Sequence, residues 1–167
     1  MSQRCEAQPT DEPAAGGVAG LGIDLVDVAR FSRIAARHDP GFLNSLFTPA
    51  ELAWCRRRRR PDEHLAARFA AREAVLKALG TGLVGLMSWR DIEVVPGDAP
   101  GVATLRLGGA VGDEARRRGI GRVHLALTTT RSLAAACVVI ECGSAGGRGL
   151  FRKGHLGSGP GGRGRQA

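Results

Sequence analysis

The spacing of apolar and polar residues divides this chain into a helical first part and a strand-rich second part. The run Leu21-Gly22-Ile23-Asp24-Leu25-Val26-Asp27 follows the Gly-rich Ala15–Gly20 and predicts a short strand near 19–23. A helix near 26–37 follows, with Val28, Phe31 and Ile34 as its inner face. Thr48-Pro49-Ala50-Glu51 is a capping box with Pro at the first helical position. That helix carries Leu52 and Trp54 into Arg56–Arg60 and ends at Pro61. A central helix from about Asp62 to Leu79 has an apolar stripe of Leu65, Phe69, Leu76 and Leu79, with Arg72 in the gap and Gly80 closing it. Strands are expected at Asp91–Val95, Val102–Leu107, Val123–Thr128 and Leu133–Glu141, with a helix near 110–118. Helices first and strands later, without βαβ alternation, give an α+β class with one mostly antiparallel sheet of four or five strands. Such a sheet keeps exposed edges in a small monomer, which favours oligomerisation.

The 167 residues support one compact domain, read as 18–142. Residues 1–17 are expected to be disordered and 143–167 to form a flexible Gly/Arg-rich tail. A formal charge of +8 favours polyanionic partners: nucleic acid, phosphorylated cofactors or an acidic protein. No apolar run reaches the length of a membrane span, and the N-terminus lacks the pattern of a secretory signal, so a cytoplasmic protein without membrane partners is expected. Cys5, Cys55, Cys137 and Cys142 lack zinc-type spacing, and Cys137 reads as a small buried hydrophobe.

The candidate chemistry gathers on the central helix, where Arg68, Arg72, Glu73 and Lys77 set one acid among three bases within about 2.5 turns. That set suits a divalent cation with a phosphate-rich ligand. Glu73 and Lys77 alone would be an ordinary i, i+4 pair worth roughly 0.2–0.5 kcal/mol. Asp24 is either a helix cap or a ligand, and Asp27 reads as a first-turn charge favoured by the helix dipole. Gly80, Thr81 and Gly82 either cradle phosphate with backbone N–H groups or terminate the helix. Arg56–Arg60 would bind phosphates strongly, yet the chain has no Tyr and no nucleic-acid reading motif, so nucleic acid is not the expected partner.

Gly22-Ile23-Asp24, the capping box and the block Arg68-Phe69-Ala70-Ala71-Arg72-Glu73-Ala74-Val75-Leu76-Lys77-Ala78-Leu79-Gly80-Thr81-Gly82 together resemble the holo-acyl-carrier-protein synthases, the short single-domain phosphopantetheinyl transferases. The family's helix motif is similar to R-F-A-A-K-E-A-x-x-K-A-x-G-T-G, and the likeness runs from about Leu21 to Glu141. The resemblance implies an α+β phosphopantetheinyl transferase-like fold, assembled as a homotrimer with active sites shared between neighbours. It implies Mg²⁺-dependent transfer of 4′-phosphopantetheine from coenzyme A to a serine of an acyl carrier protein. By position, Asp24 and Glu73 match the metal acids, and Lys77 matches a catalytic lysine that meets the phosphates. Arg68 and Arg72 match the cofactor-phosphate positions, together with Gly80, Thr81 and Gly82. Arg30 matches a basic residue that meets the carrier protein.

The last third departs from the pattern. Thr129 in Ala126-Leu127-Thr128-Thr129-Thr130 stands where the family has a histidine lining the coenzyme A site. His124, five residues earlier, points to the other face of the strand and reads as structural. Val102-Ala103 stands where the family has Lys or Arg followed by Pro. A second reading is therefore carried: the fold repurposed for acid–base chemistry with Glu73 and Lys77, on a small-molecule or carrier-linked intermediate of a specialised, polyketide-type pathway.

Overall fold

A computed structural model describes residues 17–39, 41–99 and 101–143. The expectations for the two chain ends lie outside the described residues but for one residue each. In chain order the elements are β1 (Val18–Asp27), α1 (Val28–Arg37), α2 (Gly41–Leu46), α3 (Pro49–Arg56), α4 (Pro61–Leu79), a 3₁₀ turn (Trp89–Asp91), β2 (Ile92–Pro96), β3 (Ala103–Leu107), α5 (Gly109–Arg117), β4 (Ile120–Thr129) and β5 (Leu133–Cys142). No helix among the described residues is long and apolar enough to cross a membrane.

Local chemistry sets the helix ends. Asp27 caps α1, its carboxylate accepting from the Arg30 N–H at 2.7 Å, so this acid is occupied. Thr48 and Glu51 form the expected capping box at α3. Pro61 begins α4 rather than only ending α3, because a first-turn residue needs no N–H. Gly80 ends α4 in the left-handed region at φ 66°, where a side chain would be strained.

The strands form two ladders, not the single sheet expected. β1, β5 and β4 make an antiparallel three-stranded sheet in that order, while β2 pairs only with β3. Local apolar patterning specifies strands but not their partners, so this division was hidden in the sequence.

Helix α4 lies across one face of the larger sheet. Gly20, Gly22, Asp24 and Val26 alternate along β1 toward it. A Cβ on Gly22 would stand 1.9 Å from the Ala74 carbonyl oxygen, and one on Gly20 would stand 2.2 Å from that of Ala78. Strand backbone therefore touches helix backbone, which only glycine permits. The other face of β1 carries Leu21, Ile23 and Leu25, which are 58–61% exposed. The larger apolar residues of this strand thus point away from the core.

One apolar cluster lies beneath the C-terminal half of α4, joining Val75, Leu76 and Leu79 to Ile92, Leu105, Val111, Val138 and Ile140. A second joins Val28, Phe31, Phe47, Leu52 and Leu65 under the first three helices. Ile34, expected on the inner face of α1, is instead 38% exposed, because that short helix rests on its first turns. Cys137, expected to be buried, is half-exposed on the outer face of β5, whereas Cys55 is fully buried.

A buried ion pair ties these layers together. Glu51 accepts from Arg72 Nη2 at 2.5 Å, from the Thr48 N–H at 3.0 Å and from the Val94 N–H at 3.0 Å. Arg72 also donates to the Trp89 carbonyl at 3.0 Å and the Arg68 carbonyl at 2.9 Å. Its guanidinium sits 4.7 Å from the Phe47 ring centroid. One carboxylate thus joins α3, α4 and β2.

Two stability predictions follow from these contacts. Glu51→Leu should lower the unfolding free energy by about 3–5 kcal/mol, since Arg72 stays buried without its partner. Glu51→Leu with Arg72→Leu should recover much of that loss in urea melts. Gly22→Ala should cost about 1–3 kcal/mol by forcing β1 off α4, and an unchanged urea midpoint would refute the close-packing account.

Candidate active site

Asp24 is the third residue of the β1 row that faces α4, immediately after Gly20 and Gly22. The close backbone approach carries its carboxylate to the C-terminal half of the helix. There Lys77 Nζ donates to Asp24 Oδ1 at 2.7 Å and to the Ile23 carbonyl at 3.1 Å. Glu73, one turn before Lys77 on the same flank, completes a group of two acids and one base.

The electrostatics reflect that crowding. Partial burial first, and then the Asp24 charge, push the Glu73 carboxyl above the ordinary range, with Lys77 opposing. The hydrogen bond to Asp24 is the main cause raising the Lys77 ammonium, so this lysine stays charged. No group of three or more His, Cys, Asp or Glu suited to a metal occurs among the described residues. Any cation here would rest on Asp24 and Glu73 and find its remaining ligands elsewhere.

The predicted phosphate arginines part company. Arg72 is fully buried, and its donors go to Glu51, Arg68 and Trp89. The expectation that it meets cofactor phosphates is corrected: it has no surface to offer a ligand. Arg68, one turn earlier, borders a cleft of about 750 Å³ with Trp54, Arg58, His64, Leu127 and Thr129. Its Nη1 reaches the His64 carbonyl at 3.4 Å, while its buried Nε has no hydrogen-bond partner among the described residues. The guanidiniums of Arg58 and Arg68 lie 3.9 and 4.0 Å from the Trp54 ring centroid. Both guanidiniums thus rest against an aromatic ring, and neither has an ion pair among the described residues.

The Gly80–Gly82 segment terminates the helix. The Gly80 N–H bonds to the Lys77 carbonyl at 3.0 Å and the Thr81 N–H to the Leu76 carbonyl at 3.3 Å, so neither is offered to a phosphate. Thr81 Oγ1 is buried without a partner among the described residues. Arg30 is exposed on α1. His124 lies on the outer face of β4, 3.1 Å from Glu141, and takes no part in the cleft.

At about 100° per helical residue, Glu73 and Lys77 project from the opposite flank of α4 to His64 and Arg68. The acid–lysine group and the arginine cleft are therefore two half-sites, back to back across one helix. Sequence reasoning passed over His64 and Trp54 as site residues. A histidine one turn before Arg68 was the available signal, and it stayed mute without the fold that turns both toward Thr129.

Comparison with known proteins gives this geometry its context. The family model for the 4′-phosphopantetheinyl transferase superfamily matches residues 20–136. The chain is 48% identical over 124 residues to the holo-acyl-carrier-protein synthase of Clavibacter sepedonicus, covering 74% of this chain and 96% of that one. Among solved structures, the Neisseria meningitidis holo-acyl-carrier-protein synthase superposes with a TM-score of 0.68 at 35% identity, over 74% of this chain and 98% of its own. The Bacillus anthracis enzyme, solved in complex with coenzyme A (3′,5′-ADP), gives 0.61 at 30% identity over 75% and 97%. The matched span contains Asp24, Glu73 and Lys77 as well as the arginine cleft, and the chain belongs to the 4′-phosphopantetheinyl transferase superfamily.

Proposed function

We propose that this protein transfers 4′-phosphopantetheine from coenzyme A to a serine hydroxyl of an apo acyl carrier protein. The observation that carries the reading is the meeting of Asp24, Glu73 and Lys77 where β1 touches α4. Relatives named for this activity, at up to 48% identity, favour it over the repurposed acid–base reading.

In the reaction the serine oxygen bonds to the β-phosphorus of coenzyme A and the bond to the bridging oxygen breaks, releasing 3′,5′-adenosine diphosphate. Charge accumulates on the departing phosphate, and Lys77, a compact and half-exposed ammonium, is positioned to neutralise it. The serine must lose its proton as the new bond forms. Glu73, held above the usual carboxylate range, is the acceptor this chain supplies, directly or through a water. Two mutually repelling carboxylates at a partly open surface fit Mg²⁺, which takes one or two carboxylates and completes its shell with phosphate and water. Asp24 and Glu73 would hold that ion, whose chemistry is to neutralise the diphosphate.

The back-to-back half-sites support an assembly in which one subunit's cleft faces the acids of its neighbour. The exposed Leu21, Ile23 and Leu25 form an apolar outer sheet face that a second copy would cover. A homotrimer closes such a heterologous contact without leaving a free edge. On α1, Arg30, Arg33 and Arg37 follow one exposed stripe beside the half-exposed Ile34, a surface suited to an acidic carrier protein. Both substrates are polar and water-borne, and we place the reaction in the cytoplasm.

Glu73→Gln should abolish the phosphopantetheine mass gain of an apo carrier protein, by at least about 100-fold in rate. Its urea midpoint should stay equal or rise, because a partly desolvated charge repelled by Asp24 has been removed. In the wild type, transfer should decline as pH falls through the raised Glu73 ionisation, since the protonated acid neither accepts a proton nor holds a cation. Full activity in Glu73→Gln would remove this residue from the mechanism. Shared sites predict complementation: Glu73→Gln and Arg68→Gln, each inactive alone, should regain transfer when co-expressed. No recovery in an oligomer containing both chains would confine the site to one subunit.

A further inference from the structure

The arginine cleft contains a titratable side chain that the proposed chemistry leaves without a role. His64 stands on the first turn of α4, edge-on to Trp54 with ring centroids 5.3 Å apart and planes at 89°. It lines the same cleft as Arg58, Arg68 and Thr129. Thr129 occupies the position where the strand motif calls for a histidine. The chain therefore lacks an imidazole at one wall of the cleft and presents one at another.

The surroundings of His64 are those of an anion site. Among the described residues no Asp or Glu lines the cleft, and those it draws from β2, β3 and β4, such as Val95, Ala103 and Leu127, carry no ionisable group. The charges that face His64 are Arg68 and Arg58, with Glu63 beside it in sequence. The Glu63 carboxylate is taken by Arg60 at 3.1 Å. Arg68 is only 4% exposed, lines the cleft and has no ion pair among the described residues. A largely buried cation at a cleft wall, without a carboxylate to meet it, favours an anion there.

We propose that His64 is the phosphate-contacting histidine of this cleft, and that with Arg58 and Arg68 it selects ligands bearing a terminal phosphate monoester. This deepens the coenzyme A reading and rests on it: the 3′-phosphate distinguishes coenzyme A from dephospho-coenzyme A. Burial first, then Arg68 and Arg58, lower the His64 ionisation, so the imidazole is neutral in the empty cleft at neutral pH. A phosphate dianion reverses that balance, so binding takes up a proton. The preference for the monoester accordingly strengthens as pH falls from about 8 toward about 6.5, until the phosphate's own second ionisation near about 6 intervenes.

The test is calorimetric binding of coenzyme A and dephospho-coenzyme A to the full chain, which reads the site whether or not transfer occurs. The wild type should bind coenzyme A more tightly, and His64→Gln should weaken coenzyme A by roughly tenfold while leaving dephospho-coenzyme A nearly unchanged. Repeating the titration in buffers of different ionisation enthalpy should show proton uptake with the wild type and little with His64→Gln. Adding Thr129→His to His64→Gln should restore most of the discrimination, a rescue that a purely structural role would not give. Thermal melts of each variant separate misfolding from loss of a contact. Equal discrimination in wild type and a folded His64→Gln variant overturns the assignment. Normal discrimination in the wild type without any transfer to a carrier protein would instead refute the transferase reading and leave His64 in place.

Discussion

Two glycines on β1 hold the arrangement together. Strand and helix normally keep about 10 Å between axes because side chains fill the gap, and here Gly20 and Gly22 remove that filling. The opposed helix residues, Ala74 and Ala78, are as small as a chiral residue can be. Backbone–backbone contact then fixes the height of Asp24 relative to Glu73 and Lys77 to within the tolerance of hard-sphere packing. Charges drawn from distant parts of the chain meet without a hinge or a long, mobile side chain other than the lysine itself. Such preorganisation suits a reaction in which the protein contributes position and charge rather than covalent chemistry.

Much of this was legible in the sequence. The Thr48–Glu51 capping box and Gly80 announced helix ends because caps are local chemistry, read within four residues. The Glu73–Lys77 spacing on a helix pointed to a charged pair, and the resemblance of Gly22-Ile23-Asp24 to the family motif added Asp24 to it. What stayed illegible depended on partners remote in sequence. Alternation along β1 shows Leu, Ile and Leu on one row and Gly, Gly and Asp on the other, and ordinary reasoning would bury the first row. The fold buries the second, because α4 needs closeness more than it needs apolar volume. The splitting of the strands into two ladders was hidden for a related reason, since pairing is settled by packing and not by propensity.

The arginines of α4 make the same point about context. Arg68 and Arg72 are one turn apart and identical in chemistry, at two basic positions of the motif. Arg72 meets Glu51, two carbonyls and an aromatic ring, and becomes a structural cation with no exposed surface. Arg68 meets Trp54 and a single carbonyl, borders a cleft, and has a buried Nε without a partner among the described residues. A buried guanidinium stays charged at any working pH, so each needs compensation. Internal compensation makes Arg72 a strut, whereas Arg68 is left with its charge at the wall of a cleft. Composition cannot separate the two outcomes, but an inventory of hydrogen-bond partners does.

The helical period then carries a consequence beyond the single chain. An α-helix that presents Glu73 and Lys77 on one flank must present residues half a repeat away on the other, so α4 separates the acid–lysine group from the arginine cleft. No rotamer of Lys77 or Arg68 can reach around a helix about 10 Å across whose flanks are packed against β1 and β5. A compact ligand held by one flank is thereby kept from the side chains of the other. The row of β1 that glycine leaves free for large side chains, Leu21, Ile23 and Leu25, is the row that faces outward. The substitution pattern that lets α4 approach the strand therefore also creates the apolar face through which a neighbour can approach the molecule. Close packing inside the subunit and an apolar face outside it come from the same alternation along one strand.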